Sequence, residues 1–130
     1  MRVLLPTGWL RPRGYSNGVA ARGEMVFVAG MVGWDAAGRF ASDTLAGQAR
    51  QALENVVAVL SEAGAKPEHI VQMTWNVLDK RAYRAAAAEL GVIYREIIGS
   101  YNAAMSAVEV SALMEDAALV EIEVTAVVPD

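Results

Sequence analysis

The stretch YNAAMSAVEVSALMEDAALVEIEVTAVV, residues 101–128, decides the fold. It reads as two β-strands, Met105–Ala112 and Leu119–Val127, joined by a loop around Met114, Glu115 and Asp116. In the first, Ser106, Val108 and Val110 alternate with Ala107, Glu109 and Ser111. In the second, Val120, Ile122 and Val124 alternate with Glu121, Glu123 and Thr125. A period of two predicts one apolar and one polar face for each strand. The apolar face needs a covering layer. The polar face gathers Glu109, Glu121 and Glu123, more carboxylates than a solvated sheet requires, so function is expected there.

Working outward, the covering layer comes from upstream. Ser42-Asp43 offers an N-cap for a helix over 44–63, closed by Gly64. Its apolar stripe is Ala49, Leu53, Val56, Val57 and Leu60, with Gln48, Arg50 and Gln51 off the stripe. Asp79 caps a second helix over 80–98, ended by Gly99 and interrupted only by the interior glycine Gly91. Between them, Val71, Met73, Trp75 and Val77 alternate with Gln72, Thr74 and Asn76, which is a strand over 70–78.

Nearer the start, Val19–Ala21 and Met25–Val32 read as a hairpin turning at Arg22-Gly23-Glu24. The second of these strands is continuously apolar and is expected at the centre of the sheet. Residues 1–14 hold Pro6, Gly8, Pro12 and Gly14 and are expected to be irregular. The order β-β-α-β-α-β-β predicts one α+β domain over residues 1–130, a two-layer mixed sheet with two helices on one face.

Composition bounds the function. Of the 130 residues, 55% are apolar and 20% charged, an apolar excess that points to a surface covered by another copy of the chain. The net charge of −4 argues against nucleic acid, which needs clustered Lys and Arg. There is no cysteine, so disulfides, thiolate catalysis and thiolate metal sites are excluded. The single histidine, His69, follows Pro67, is expected in an exposed loop, and makes no metal site by itself. Ser106 and Ser111 lack a nucleophile-elbow context. Gly30 and Gly33 precede a turn rather than a helix, so they form no phosphate loop. The apolar run near Met1 is too short for a signal peptide, and no stretch is long enough to span a bilayer; a cytoplasmic location is the expectation.

Six pieces in order carry a resemblance. They are Gly14-Tyr15-Ser16, MVFVAGMVG (25–33), QARQALENVVAVLSEAG (48–64), MTWNVLD (73–79), AMSAVEVSAL (104–113) and VEIEVTAVV (120–128). Together they resemble the Rid/YjgF family of enamine/imine deaminases, also labelled endoribonuclease L-PSP. The resemblance implies a chorismate-mutase-like fold in a homotrimer, with sheets lining a central barrel and a small-molecule cleft at each subunit interface. It implies no cofactor and no metal.

By that resemblance Glu121 positions the hydrolytic water, Tyr15 lines the cleft and the Gly30 backbone allows close approach. Met31 stands where a glutamine is common. Met105-Ser106-Ala107 stands where deaminating members have Arg-Ser-Cys, so the arginine that holds a substrate carboxylate is missing. Either Arg11 or Arg13 supplies that charge, or the ligand differs and Met31, Trp34, Trp75 and Met105 line a more apolar pocket. The expected activity is deamination or hydrolysis of an enamine- or imine-like metabolite; the alternative is a non-catalytic metabolite-binding protein of the same fold.

Overall fold

The computed structural model describes residues 1–100 and 102–130; Tyr101, which opens the quoted stretch, lies outside the described residues. Its central strand is β6 (Val120–Val128). To one side β6 pairs antiparallel with β3 (Glu24–Met31), to the other with β4 (Ile70–Val77). β5 (Ala104–Glu109) runs parallel to β4, giving the sheet order β3-β6-β4-β5. The alternation read in β6 is realised: Val120, Ile122, Val124 and Ala126 are buried, while Glu123 is exposed.

Onto that buried face pack α1 (Leu45–Glu62) and a second helical segment. Leu53, Val56 and Leu60 of α1 are fully excluded from water, each contributing about 1.5–3 kcal/mol of burial. The cap of α1 is Thr44 rather than Ser42-Asp43: its Oγ1 accepts the Gly47 N–H at 3.1 Å, and Ser42 Oγ accepts the Thr44 N–H at 3.1 Å. Gly64, at φ +68°, ends the helix in the left-handed conformation.

Gln48 also departs from expectation, being only 1% exposed. Its Nε2 donates to the carbonyls of Ser42 and Ala117 at 3.0 and 2.9 Å, and its Oε1 accepts the Leu119 N–H at 2.7 Å. One amide thereby ties α1 to the loop before it and to the entrance of β6.

The start of the chain corrects two expectations. Residues 2–4 form a strand, β1 (Arg2–Leu4), and it pairs with β2 (Gly18–Ala20) in a separate two-stranded sheet. β2 therefore makes no hairpin with β3. Nor is β3 central: it is an edge strand, with Met25 and Phe27 exposed, Phe27 by 70%. An apolar run signals burial on both faces, yet here one chain covers one face only.

The second helix also differs. It is broken at Ala86 (φ −88°, ψ 4°) into α2 (Lys80–Ala85) and α3 (Ala87–Ile97). His69 sits half-buried in a 3-10 turn over Pro67–His69, where its Nδ1 accepts the Lys66 N–H at 2.9 Å.

Candidate functional site

β5 lies at the sheet margin, and its free edge recruits the segment around Tyr15. Ser16 donates its N–H to the Ala103 carbonyl at 2.9 Å and bridges Ala104 in parallel, after a turn at Gly14 with φ +79°. That docking sets Tyr15 beside Met105. Across the sheet margin, Asp79 opens α2 by accepting the N–H groups of Arg81 and Ala82 at 2.9 and 3.1 Å. Glu109 Oε1 takes the Lys80 N–H at 2.9 Å.

Glu109 is thus a helix-capping group and does not share a face with Glu121. The β4–β5 register decides this: Trp75 pairs with Ala107 and Val77 with Glu109, whereas Asn76 pairs with Val108. Met105, Ala107 and Glu109 therefore look toward the helices, and Ser106 and Val108 look away, the reverse of the face assignment expected for this strand.

Between β4–β5 and α2–α3 lies a cavity of about 520 Å³. Its inner wall is Trp75, 3% exposed, whose Nε1–H donates to Met73 Sδ at 3.0 Å. The Tyr83 ring meets the Trp75 ring edge-on, centroids 5.9 Å apart at 61°. Burial pushes the Tyr83 hydroxyl pKa above its usual 10.0, so the phenol is held neutral. Tyr15, Met105 and Ala107 close the strand side, and Arg13 stands at the cavity as the only charge among its described lining residues. The space exists because Ala87 and Gly91, one helical turn apart on α3, face Ala107 with almost no side chain. Arg11 lines a separate cleft of about 390 Å³ with Asn17 and Asn102, on the other side of Tyr15.

Glu121 pairs with Asn76 on the opposite face of the sheet. Its side chain lies over Gly30: a methyl group on that glycine would fall 2.5 Å from Glu121 Cδ and 2.8 Å from Cγ. Met31 and Trp34 line neither place. Met31 pairs with Ile122 and packs against the core, and Trp34 bridges Phe40 while its carbonyl accepts from Asn55 Nδ2 at 2.8 Å. Within one chain, then, Tyr15, Trp75, Met105, Ala107 and Arg13 come together, and Gly30 with Glu121 forms a second group. Tyr83, Leu90 and Gly91 join the cavity without having been singled out for it; in sequence they sit on the helix stripe that also marks core. No cluster of three or more histidine, aspartate and glutamate side chains suited to a metal ion occurs among the described residues. No helix among them is long and apolar enough to cross a membrane.

This two-layer sheet with its helices on one face is the fold of the YjgF and L-PSP structures. YyfB of Yersinia pestis, of the conserved Rid protein family, superposes with a TM-score of 0.77 at 30% identity, covering 98% of each chain. The YjgF gene product of E. coli gives 0.71 at 30% identity, again with 98% of each chain covered. The Endoribonuclease L-PSP family model matches residues 10–128, and the chain belongs to that family, the Rid/YjgF proteins. Among similar proteins, a RutC family protein of Pyrococcus horikoshii is 34% identical over 86% of this chain and 85% of its own. The 2-iminobutanoate/2-iminopropanoate deaminase of Salmonella typhimurium is 35% identical over 81% of this chain and 79% of its own.

Proposed function

We propose that this chain is an imine or enamine hydrolase of Rid type, working in clefts between the copies of a homotrimer. The observation that carries the reading is the split of the candidate site. The cavity holding Tyr15, Met105 and Ala107 and the carboxylate of Glu121 lie on opposite faces of one sheet. No side-chain rotation carries a carboxylate through a hydrogen-bonded sheet, so the two halves meet only across a boundary between chains. The exposed Met25 and Phe27, on the strand that also holds Gly30, support a covered surface there.

The chemistry requires water and a proton carrier. Glu121 accepts a proton as the water oxygen adds to the imine carbon. The proton passes to the nitrogen of the resulting carbinolamine, the C–N bond breaks, and nitrogen leaves as ammonia while the carbonyl compound remains. Nothing is oxidised or reduced, so the balance calls for no metal and no organic cofactor. The likeness to the Salmonella deaminase supports the reaction class. Met105, which has no hydrogen-bond donor where the family pattern has arginine, supports a substrate different from the usual one.

Glu121→Gln tests the assignment through ammonia release from imines generated in situ. The expected result is a loss of about 100-fold or more with unfolding and sedimentation unchanged. Unaltered turnover would remove Glu121 from the mechanism. A second reading, a metabolite-binding protein without turnover, is favoured by the same Met105; it predicts saturable ligand binding with no product.

A further inference from the structure

We infer that the cavity selects a ligand with an aromatic or similarly bulky apolar body and one anionic group, the body lying against Trp75, Tyr83 and Leu90 and the anion pairing with Arg13. The inference rests on the hydrolase reading for the reaction and on the cavity itself for the ligand class.

Volume comes first. A cavity of about 150 Å³ already accepts a benzene ring, and this one measures about 520 Å³. It therefore holds a ring together with a short 2-imino or 2-oxo acid chain, within the usual range of ligand sites. A three-carbon ligand would leave most of that space to water, with no apolar contact to Trp75 or Tyr83.

The lining fixes the chemistry. Trp75, Tyr83, Leu90 and Met105 present aromatic, aliphatic and thioether surface, and the three positions that give the room, Ala87, Gly91 and Ala107, are all small. A glycine inside a helix costs about 1 kcal/mol relative to alanine, so Gly91 is a locally unfavourable choice that widens the cavity. Rings alone would also suit a cationic ligand held over their faces. The guanidinium of Arg13 opposes that: it is the only charge in the described lining, it is exposed, and among the described residues no carboxylate pairs with it. Met105 offers no donor, so Arg13 is the group in this lining that can neutralise an anion. Arg11 belongs to the neighbouring cleft and is not needed.

The test is calorimetric titration of the full-length protein with stable carbonyl probes, alongside ammonia release from the matching imines. The probes are 2-oxo-3-phenylpropanoate, 2-oxopropanoate, the neutral 4-phenylbutan-2-one and trimethylbenzylammonium. The phenyl acid is expected to bind about 30-fold or more tightly than 2-oxopropanoate, from burial of its ring. Arg13→Ala should weaken the phenyl acid by about 10-fold or more and leave the neutral ketone unchanged. Ala87→Phe, which fills the cavity from α3, should remove the preference for the ring while the small acid still binds. Tighter binding of 2-oxopropanoate or of the ammonium compound, indifference to Arg13→Ala, or no binding of any probe overturns the inference. Binding as expected without ammonia release upholds the ligand class and refutes the hydrolase. Release from small imines only upholds the hydrolase and refutes the ligand class.

Discussion

Replacing Gly30 by alanine should separate stability from activity, and the structure gives the size of each effect. Gly30 does not have a positive φ, so alanine meets no backbone strain there. Reduced freedom of the unfolded chain then favours alanine by about 0.4–1 kcal/mol. Against this stands one contact. The new methyl would lie 2.5 Å from Glu121 Cδ and 2.8 Å from Cγ, where carbons settle at about 3.5–4.0 Å. The carboxylate must therefore swing away by about 1 Å, and an off-rotamer shift of that kind costs about 0.5–1.5 kcal/mol. The opposing contributions nearly cancel, so Gly30→Ala should unfold within about 1 kcal/mol of the wild type in urea. A displacement of about 1 Å in a group that positions water lowers kcat by about 100-fold. In a Glu121→Ala background the clash disappears, and adding Gly30→Ala should change turnover no further. Full activity in the single variant would show that the position of Glu121 over Gly30 is irrelevant to catalysis. A loss of stability well beyond 2 kcal/mol would show that the neighbour cannot give way, and the argument from a mobile carboxylate would fail.

Gln48→Leu, which strips partners from the buried backbone groups of Ser42, Ala117 and Leu119, should cost about 3–5 kcal/mol in chemical denaturation; a loss below 1 kcal/mol would mean water replaces the amide. Tyr83 holds its proton more tightly folded than unfolded, so its contribution to stability is complete below pH 10 and is lost as pH rises through the elevated folded value. Tyr83→Phe should accordingly flatten the alkaline fall of the unfolding free energy above that pH, and an identical alkaline limb in both proteins would refute the burial argument. Phe27→Glu puts a charge on an exposed apolar surface and should shift sedimentation from the assembled species toward the single chain, without unfolding it. A sedimentation coefficient unchanged from the wild type would remove that surface from the proposed interface.

Legibility followed the contrast between neighbouring side chains. β6 alternates valine and isoleucine with glutamate, and it is buried on its apolar face as its period requires. β5 reads Ala-Met-Ser-Ala-Val-Glu, where small residues occupy both faces; its orientation came from the register with β4, which is a long-range fact. Residues 2–4 are too few to show any period, and their partner is β2, some fifteen residues on. The break at Ala86 lies in a run of four alanines, 85–88, which carries no pattern at all. In the site, Tyr15, Met105 and Ala107 were found through family resemblance and do meet, whereas Met31 and Trp34 went to the core and to a loop bridge. Tyr83 and Leu90 were hidden because a residue facing a cavity and a residue facing a core share the same helical stripe.

The open face of the sheet and the divided site have one physical explanation. A strand as apolar as β3 at the edge of a sheet, with Met25 and Phe27 toward solvent, is a liability in an isolated chain. The same face carries the Glu121 carboxylate, beside a backbone position kept bare by Gly30. Burying the first feature against another copy brings the second to a boundary between chains, where the helix-side cavity of a neighbour can supply what Glu121 lacks. On our proposal, assembly and catalysis are then coupled: a variant that weakens association should lose turnover in proportion to the fraction of dissociated chain, and raising the protein concentration should restore it. Turnover per chain that stays constant across that dilution range would place the whole reaction within a single copy, and the argument from the opposite faces of the sheet would fall.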